Sequence, residues 1–176
     1  ATLTGSMDAV RIDGSDTRLV LGQEAYLAQL GRVVTGPGSQ LNGDAVSTGL
    51  NNTQGKVQAL GTLDIDTQGQ RMNNTEGLLV ADGAVQIAAG VLDNTKGSIA
   101  SDDNLTLLSA NLTNLQGRVQ AQGTLDIDTS GQSLTNTQGV VVAGGALSIA
   151  AGALNNNQGT LASQQDAALL SAALNN

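Results

Sequence analysis

A six-residue phrase, LNNTQG at residues 50–55, returns as MNNTEG, LDNTKG, LTNLQG, LTNTQG and LNNNQG, and the sequence closes on LNN. The leading apolar residues are Leu50, Met72, Leu92, Leu112, Leu134, Leu154 and Leu174, at spacings of 22, 20, 20, 22, 20 and 20. A unit of about twenty residues cannot enclose a core by itself, and its regular return marks a solenoid whose units are stabilised by stacking. A longer period of 62 residues groups the units as one long and two short.

Inside each unit the apolar period is two, the period of a strand. Two residues after the closing Gly stand Val57, Leu79, Ile99, Val119, Val141 and Leu161, and four after it stand only Ala or Ser. A second alternating pair follows at eight and ten residues, from Leu63 and Ile65 to Ala167 and Leu169, with Thr67, Ala89, Ser109, Thr129, Ala151 and Ser171 two further on. The Leu-x-Asn opening of the next unit supplies a short third strand. The expected fold is therefore all-β: a parallel β-helix, or β-solenoid, with three short strands per coil of about 20 residues and about nine coils in the chain. The 176 residues include no Phe or Trp, one Tyr and two Met. Stacking explains this, because equivalent side chains repeat at about 4.8 Å and a thin interior takes one size class per column.

Composition excludes several functions. The formal charge is −8 with seven Lys and Arg and no basic cluster, which leaves neither the phosphate contacts nor the stacking aromatics of a nucleic-acid binder. No apolar run reaches membrane-spanning length, so no membrane insertion is expected. Without Cys or His there are no thiolate or imidazole metal sites, no Ser-His or Cys-His nucleophile pairs and no disulfides. We expect no cofactor, no metal and no catalytic residue.

The Asn two places after each leading residue (Asn52, Asn74, Asn94, Asn114, Asn136, Asn156 and the terminal Asn176) points inward by alternation. A stack of identical amides at the coil spacing lets each donate to the next, so these residues are read as a structural ladder. The closing Gly55, Gly77, Gly97, Gly117, Gly139 and Gly159 fit a corner needing positive φ or close backbone approach. The preceding position mixes Gln, Glu and Lys and reads as a solvated turn.

Asp64/Asp66 and Asp126/Asp128, in the repeated TLDIDT, are the best candidates for chemistry as an acid–base pair or a Ca²⁺ site. They lie on the outer face about three coils, or roughly 14 Å, apart, with Gln86/Ala88 and Thr106/Leu108 between them. No cation recurs beside them to build a polysaccharide-processing site, so they read as solubilising charge. Each long coil also inserts two residues, in TQGQR at 67–71 and TSGQS at 129–133, which predicts a polar bulge at one corner every third coil. Gln68, Gln70, Arg71, Ser130 and Gln132 would form this ridge, a speculative place for a partner. Leu108 and Leu170 point outward at the same interval.

Residues 1–49 lack the phrase and are read as irregular or degenerate coils leading into regular repeats at 50–176. Within them QEAYLAQLG at 23–31 could form a helical turn, and residues 31–49 look loop-rich. Because SAALNN stops as another unit opens, the sequence reads as an internal stretch of a longer chain.

The units of LDNTKGSIASDDNLTLLSANLTNLQGRVQAQGTLDID resemble the haemagglutinin repeats of filamentous haemagglutinin and of contact-dependent inhibition exoproteins. The resemblance rests on the Leu-x-Asn-x-Gln-Gly turn, the small-residue position and the Gly-x-Leu-x-Ile strand. It covers residues 50–176 well and 1–49 weakly. It implies a Gram-negative exoprotein exported by an outer-membrane two-partner-secretion transporter to the cell surface or the medium, folded as a right-handed β-helix. That hand agrees with the rule for parallel crossovers. The expected role is the shaft of an adhesin that projects binding elements toward a host-cell or neighbouring-cell receptor. The alternative is the stalk of a contact-dependent growth-inhibition toxin, and the remote one a polysaccharide-processing β-helix enzyme.

Overall fold

The computed structural model describes residues 10–12, 18–20, 32–35, 40–44 and 49–176, with side chains for the last of these. Among them every regular element is a strand, and every strand pairing is parallel. The strands stack as a β-solenoid with two sheets.

The first sheet takes the strand after each turn: Val10–Ile12, Arg32–Thr35, Lys56–Ala59, Leu78–Ala81, Ser98–Ser101, Arg118–Ala121, Val140–Ala143 and Thr160–Ser163. Its register aligns Val57 with Leu79, Ile99, Val119, Val141 and Leu161 in turn, so the inward column contains only branched aliphatics. The second sheet runs from Arg18–Val20 and Gln40–Asp44 through Leu63–Asp66 and its equivalents, and carries the other aliphatic columns. Leu63, Ile65, Leu105, Leu107, Leu125 and Ile127 are all buried. Burying each such side chain contributes about 1.5–3 kcal/mol, which one coil alone could not set against the entropy of ordering its backbone.

The two coil lengths differ at one corner. In the long coils three strands are separate: Lys56–Ala59, Leu63–Asp66 and Arg71–Asn73, then Arg118–Ala121, Leu125–Asp128 and Ser133–Thr135. In the 20-residue coils the second and third merge into one nine-residue strand, as Val85–Asp93, Leu105–Thr113 and Leu147–Asn155. Without the two inserted residues the chain bends while staying extended. Pairing skips Gly90 and Ala110, so the inward alternation resets from Ala89 to Leu92 across the bend.

Register partners carry Leu50 through Met72, Leu92, Leu112, Leu134 and Leu154 to Leu174, which makes six regular turns. In the head, Val10 pairs with Val33 and Val33 with Val57, offsets of 23 and 24 residues. These longer coils bring the first sheet to eight strands where about nine coils were expected. The stretch that composition reads as loop-rich contains the strands Arg32–Thr35 and Gln40–Asp44. Residues 23–31, including Tyr26, lie outside the described residues.

The column two residues beyond the second aliphatic pair separates satisfied from unsatisfied hydroxyls. Thr67 and Thr129 are fully buried and donate Oγ1 to the carbonyls of Gln70 (2.7 Å) and Gln132 (2.9 Å). Ser109 is equally enclosed, yet its Oγ has no partner among the described residues. A buried hydroxyl without a partner costs about 1–3 kcal/mol, whereas a made hydrogen bond contributes about 1. We therefore expect Ser109→Ala to leave unchanged or raise the denaturant midpoint, and Thr129→Ala to lower stability by about 1 kcal/mol. Equilibrium unfolding of the two variants in parallel checks both signs.

Candidate functional site

The recurring phrase forms one corner of the coil, and each of its positions has a separate task. Leu50 is inward and buried. Asn51 faces outward, and its Oδ1 accepts from both the backbone N–H (3.1 Å) and Oγ1 (2.6 Å) of Thr53. Asn73 with Thr75 and Asp93 with Thr95 repeat this Asx cap. Sequence reasoning missed these caps, although Asx followed two residues later by Thr is their local signal.

The inward amides meet in a line. Asn52 Nδ2 donates to Asn74 Oδ1 at 2.7 Å, and the same bond runs on through Asn94, Asn114, Asn136 and Asn156 to Asn176 at 2.7–2.8 Å. The second amide proton of Asn94 is shared between Gly97 O and Arg118 O. At the head of the line Asn52 Oδ1 is buried with no partner among the described residues.

The corner places its backbone strain one residue before the glycine. Positive φ occurs at Gln54, Glu76, Lys96, Gln116, Gln138 and Gln158, with values of 54–57°. The following glycines are needed for the alternative reason, close approach: a Cβ on Gly97 would run into the carbonyl oxygen of Asn74 and into Asn94 Oδ1. The left-handed residue points its side chain to solvent, where Gln116 Nε2 donates to Gln138 (3.0 Å) and Gln138 to Gln158 (2.9 Å), an outer amide line beside the inner one.

The inserted residues form exposed turns. Gln68 and Gly69 both have positive φ, as in a type I′ turn, closed by Gln70 N–H donating to Thr67 O at 2.9 Å. Ser130, Gly131 and Gln132 repeat it three coils later. Gln68, Gln70, Arg71, Ser130 and Gln132 are all exposed at this corner. Arg71 is engaged there: its Nη2 donates to Asp93 Oδ2 at 2.9 Å, a surface pair of modest worth. Each bulge also constrains the next coil, because a Cβ on Gly90 or Gly152 would meet the carbonyl of Gly69 or Gly131.

The acidic pairs stay on the outer side of the second sheet. Asp66 and Asp128 accept from the backbone N–H of Gln68 (2.7 Å) and Ser130 (2.6 Å), so they cap the bulges. Register places Gln86/Ala88 and Thr106/Leu108 between the pairs, while Asp44 of the preceding coil stands beside Asp66. Like-charge spacing is therefore kept in the regular coils. Among the described residues no three of His, Cys, Asp and Glu are grouped to hold a metal ion.

At the last coil the inward positions are uncovered. An open depression of about 400 Å³ is lined by Asn156, Gly159, Thr160, Leu161, Leu169, Leu174 and Asn176. These are core and ladder positions, the geometry of a coil face with no coil upon it.

The family model for the haemagglutinin repeat matches residues 23–109, 73–128 and 120–176. The chain belongs to the haemagglutinin-repeat family. Comparison with curated proteins and with solved structures returns no match. In this haemagglutinin-repeat chain the match reaches back to residue 23, into coils whose sequence lacks the phrase but whose strands Arg32–Thr35 and Gln40–Asp44 continue both sheets.

The corner geometry yields two contrasts. Asn94→Leu should cost about 1–3 kcal/mol, because Asn114 Oδ1 and the ladder above it lose a buried partner. Gly97→Ala should lower the unfolding midpoint, while Lys96→Gly should not, since glycine accepts the positive φ at Lys96 without strain. Thermal and denaturant unfolding of the three variants read these outcomes.

Proposed function

We infer that this chain is a shaft segment of a large secreted or surface-exposed Gram-negative adhesin of the filamentous-haemagglutinin type. Haemagglutinin-repeat membership supports an adhesin-like exoprotein. The observation that carries the mechanical reading is that each regular coil is tied to the next by two parallel sheets and a buried amide line. Such a rod resists bending and holds binding elements away from the cell. Export through an outer-membrane two-partner-secretion transporter, and a host-cell or neighbouring-cell receptor at the far end, complete the proposal. Catalysis has no support in the geometry, because Asp66 and Asp128 are occupied as turn caps and the two acidic pairs stand on separate coils.

In the surface-displayed exoprotein, removal of residues 72–133, one complete three-coil period, should preserve folding because Leu134 then follows Arg71 in phase. Adhesion to target cells should fall with the shortened reach while killing of competitor cells is unaffected. Loss of killing with intact adhesion would overturn the adhesin reading in favour of the toxin stalk. Converting Asp64, Asp66, Asp126 and Asp128 together to Asn should keep the fold, since Asn also caps such turns. Polysaccharide turnover measured before and after this change should show no loss; any loss rejects the shaft-only role.

A further inference from the structure

The outward faces of the two sheets differ in charge and size, and they do so in step. Among strand residues 56–163 of the first sheet there is no acidic residue, and its cations are Lys56 and Arg118. The outward positions of Leu63–Asp66 and its register equivalents in the second sheet hold Asp64/Asp66 and Asp126/Asp128 and no cation, Arg71 lying on that sheet's separate strand Arg71–Asn73. Lys56 shares its coil with the first acidic pair, and Arg118 shares its coil with the second.

Size follows the same order. In the coil after Lys56 the first sheet presents Leu78 and Val80, and the second presents Gln86 and Ala88. One coil further the first sheet presents Ser98 and Ala100, and the second presents Thr106 and Leu108, the latter 45% exposed. The next period repeats the sense: Val140 and Val142 against Ser148 and Ala150, then Thr160 and Ala162 against Ala168 and Leu170.

We propose that this shaft associates side by side with a second copy of itself, parallel and in coil register, the first sheet of one copy lying on the second sheet of the next. In that arrangement cation meets acid, the coils that carry Leu78 or Val140 on the first sheet meet those that carry Ala88 or Ala150 on the second, and the coils that carry Leu108 or Leu170 on the second meet those that carry Ala100 or Ala162 on the first. Displacement by one coil sets Asp64 and Asp66 against Leu78 and Val80. The antiparallel alignment that keeps Lys56 against Asp126 and Asp128 brings Leu78 and Val80 against Thr106 and Leu108, and Ser98 and Ala100 against Gln86 and Ala88. The pattern thus selects direction, and an offset of zero over one or two coils of displacement, while displacement by a full three-coil period restores the match over only half of the face. The contact is heterologous, so it leaves a free face on each copy and extends into a bundle.

Four residues of strand by six coils give a face of roughly 13 by 29 Å, about 400 Å², half of the roughly 800 Å² per partner in a standard interface. One segment therefore binds weakly, and the contact grows with the number of coils.

The chain has no cysteine, so single thiols can report the pairing. Copies carrying Ala100→Cys are mixed near millimolar concentration with copies carrying Thr106→Cys and treated with a short bis-maleimide. Ser148→Cys, two coils out of register, serves as the comparison. The in-register pair should cross-link at least about tenfold more. Lys56→Glu with Arg118→Glu on the Ala100→Cys copy should abolish the excess. Asp64→Lys with Asp126→Lys on the Thr106→Cys copy should then restore it, with unfolding midpoints of every variant measured alongside. Equal yields in and out of register, a yield unmoved by charge reversal, or failure of the compensating pair each overturns the proposal.

Discussion

Everything in this molecule depends on each inward side chain resting on its own equivalent one coil away. At a separation of about 4.8 Å an amide reaches the next amide, and an aliphatic side chain covers the next aliphatic. The line from Asn52 to Asn176 uses this fully: a group costly to bury alone is satisfied by a copy of itself. The same rule removes aromatic rings from the described coils and makes stability a property of neighbours.

The coil and its columns were legible because alternation and spacing are direct consequences of strand geometry. Val57, Leu63 and Ile65 stand at period-two positions, and period two has one structural meaning. The corner was less legible. Gln-Gly suggests that glycine takes the left-handed conformation, yet Gln54 takes it, because the space beside Gly55 is limited by Asn52 and not by φ. That space is set by the coil fold as a whole, so no local pattern reports it. The merging of two strands in the short coils was hidden for a similar reason: Ala89-Gly90-Val91 bends without leaving the sheet, and a bend of that kind has no turn residues to announce it.

The 62-residue period joins features that look independent in the sequence. A long coil brings an acidic pair, of which Asp66 caps the inserted turn, and a Gly at position 90 in the coil above to accommodate that turn's backbone. Insertion, cap and glycine therefore form one unit spread over two coils. A coil cannot be exchanged for another of different length without its neighbour.

The inner amide line also has a direction. Every rung donates through Nδ2 toward the carboxy-terminal coil and accepts through Oδ1 from the amino-terminal one. Each new coil in the regular region must close a loop of only 20 or 22 residues onto the coil before it, so the entropic cost is nearly the same at every step. A finished coil is then the template for the next, and order can propagate along the stack from any coil already formed.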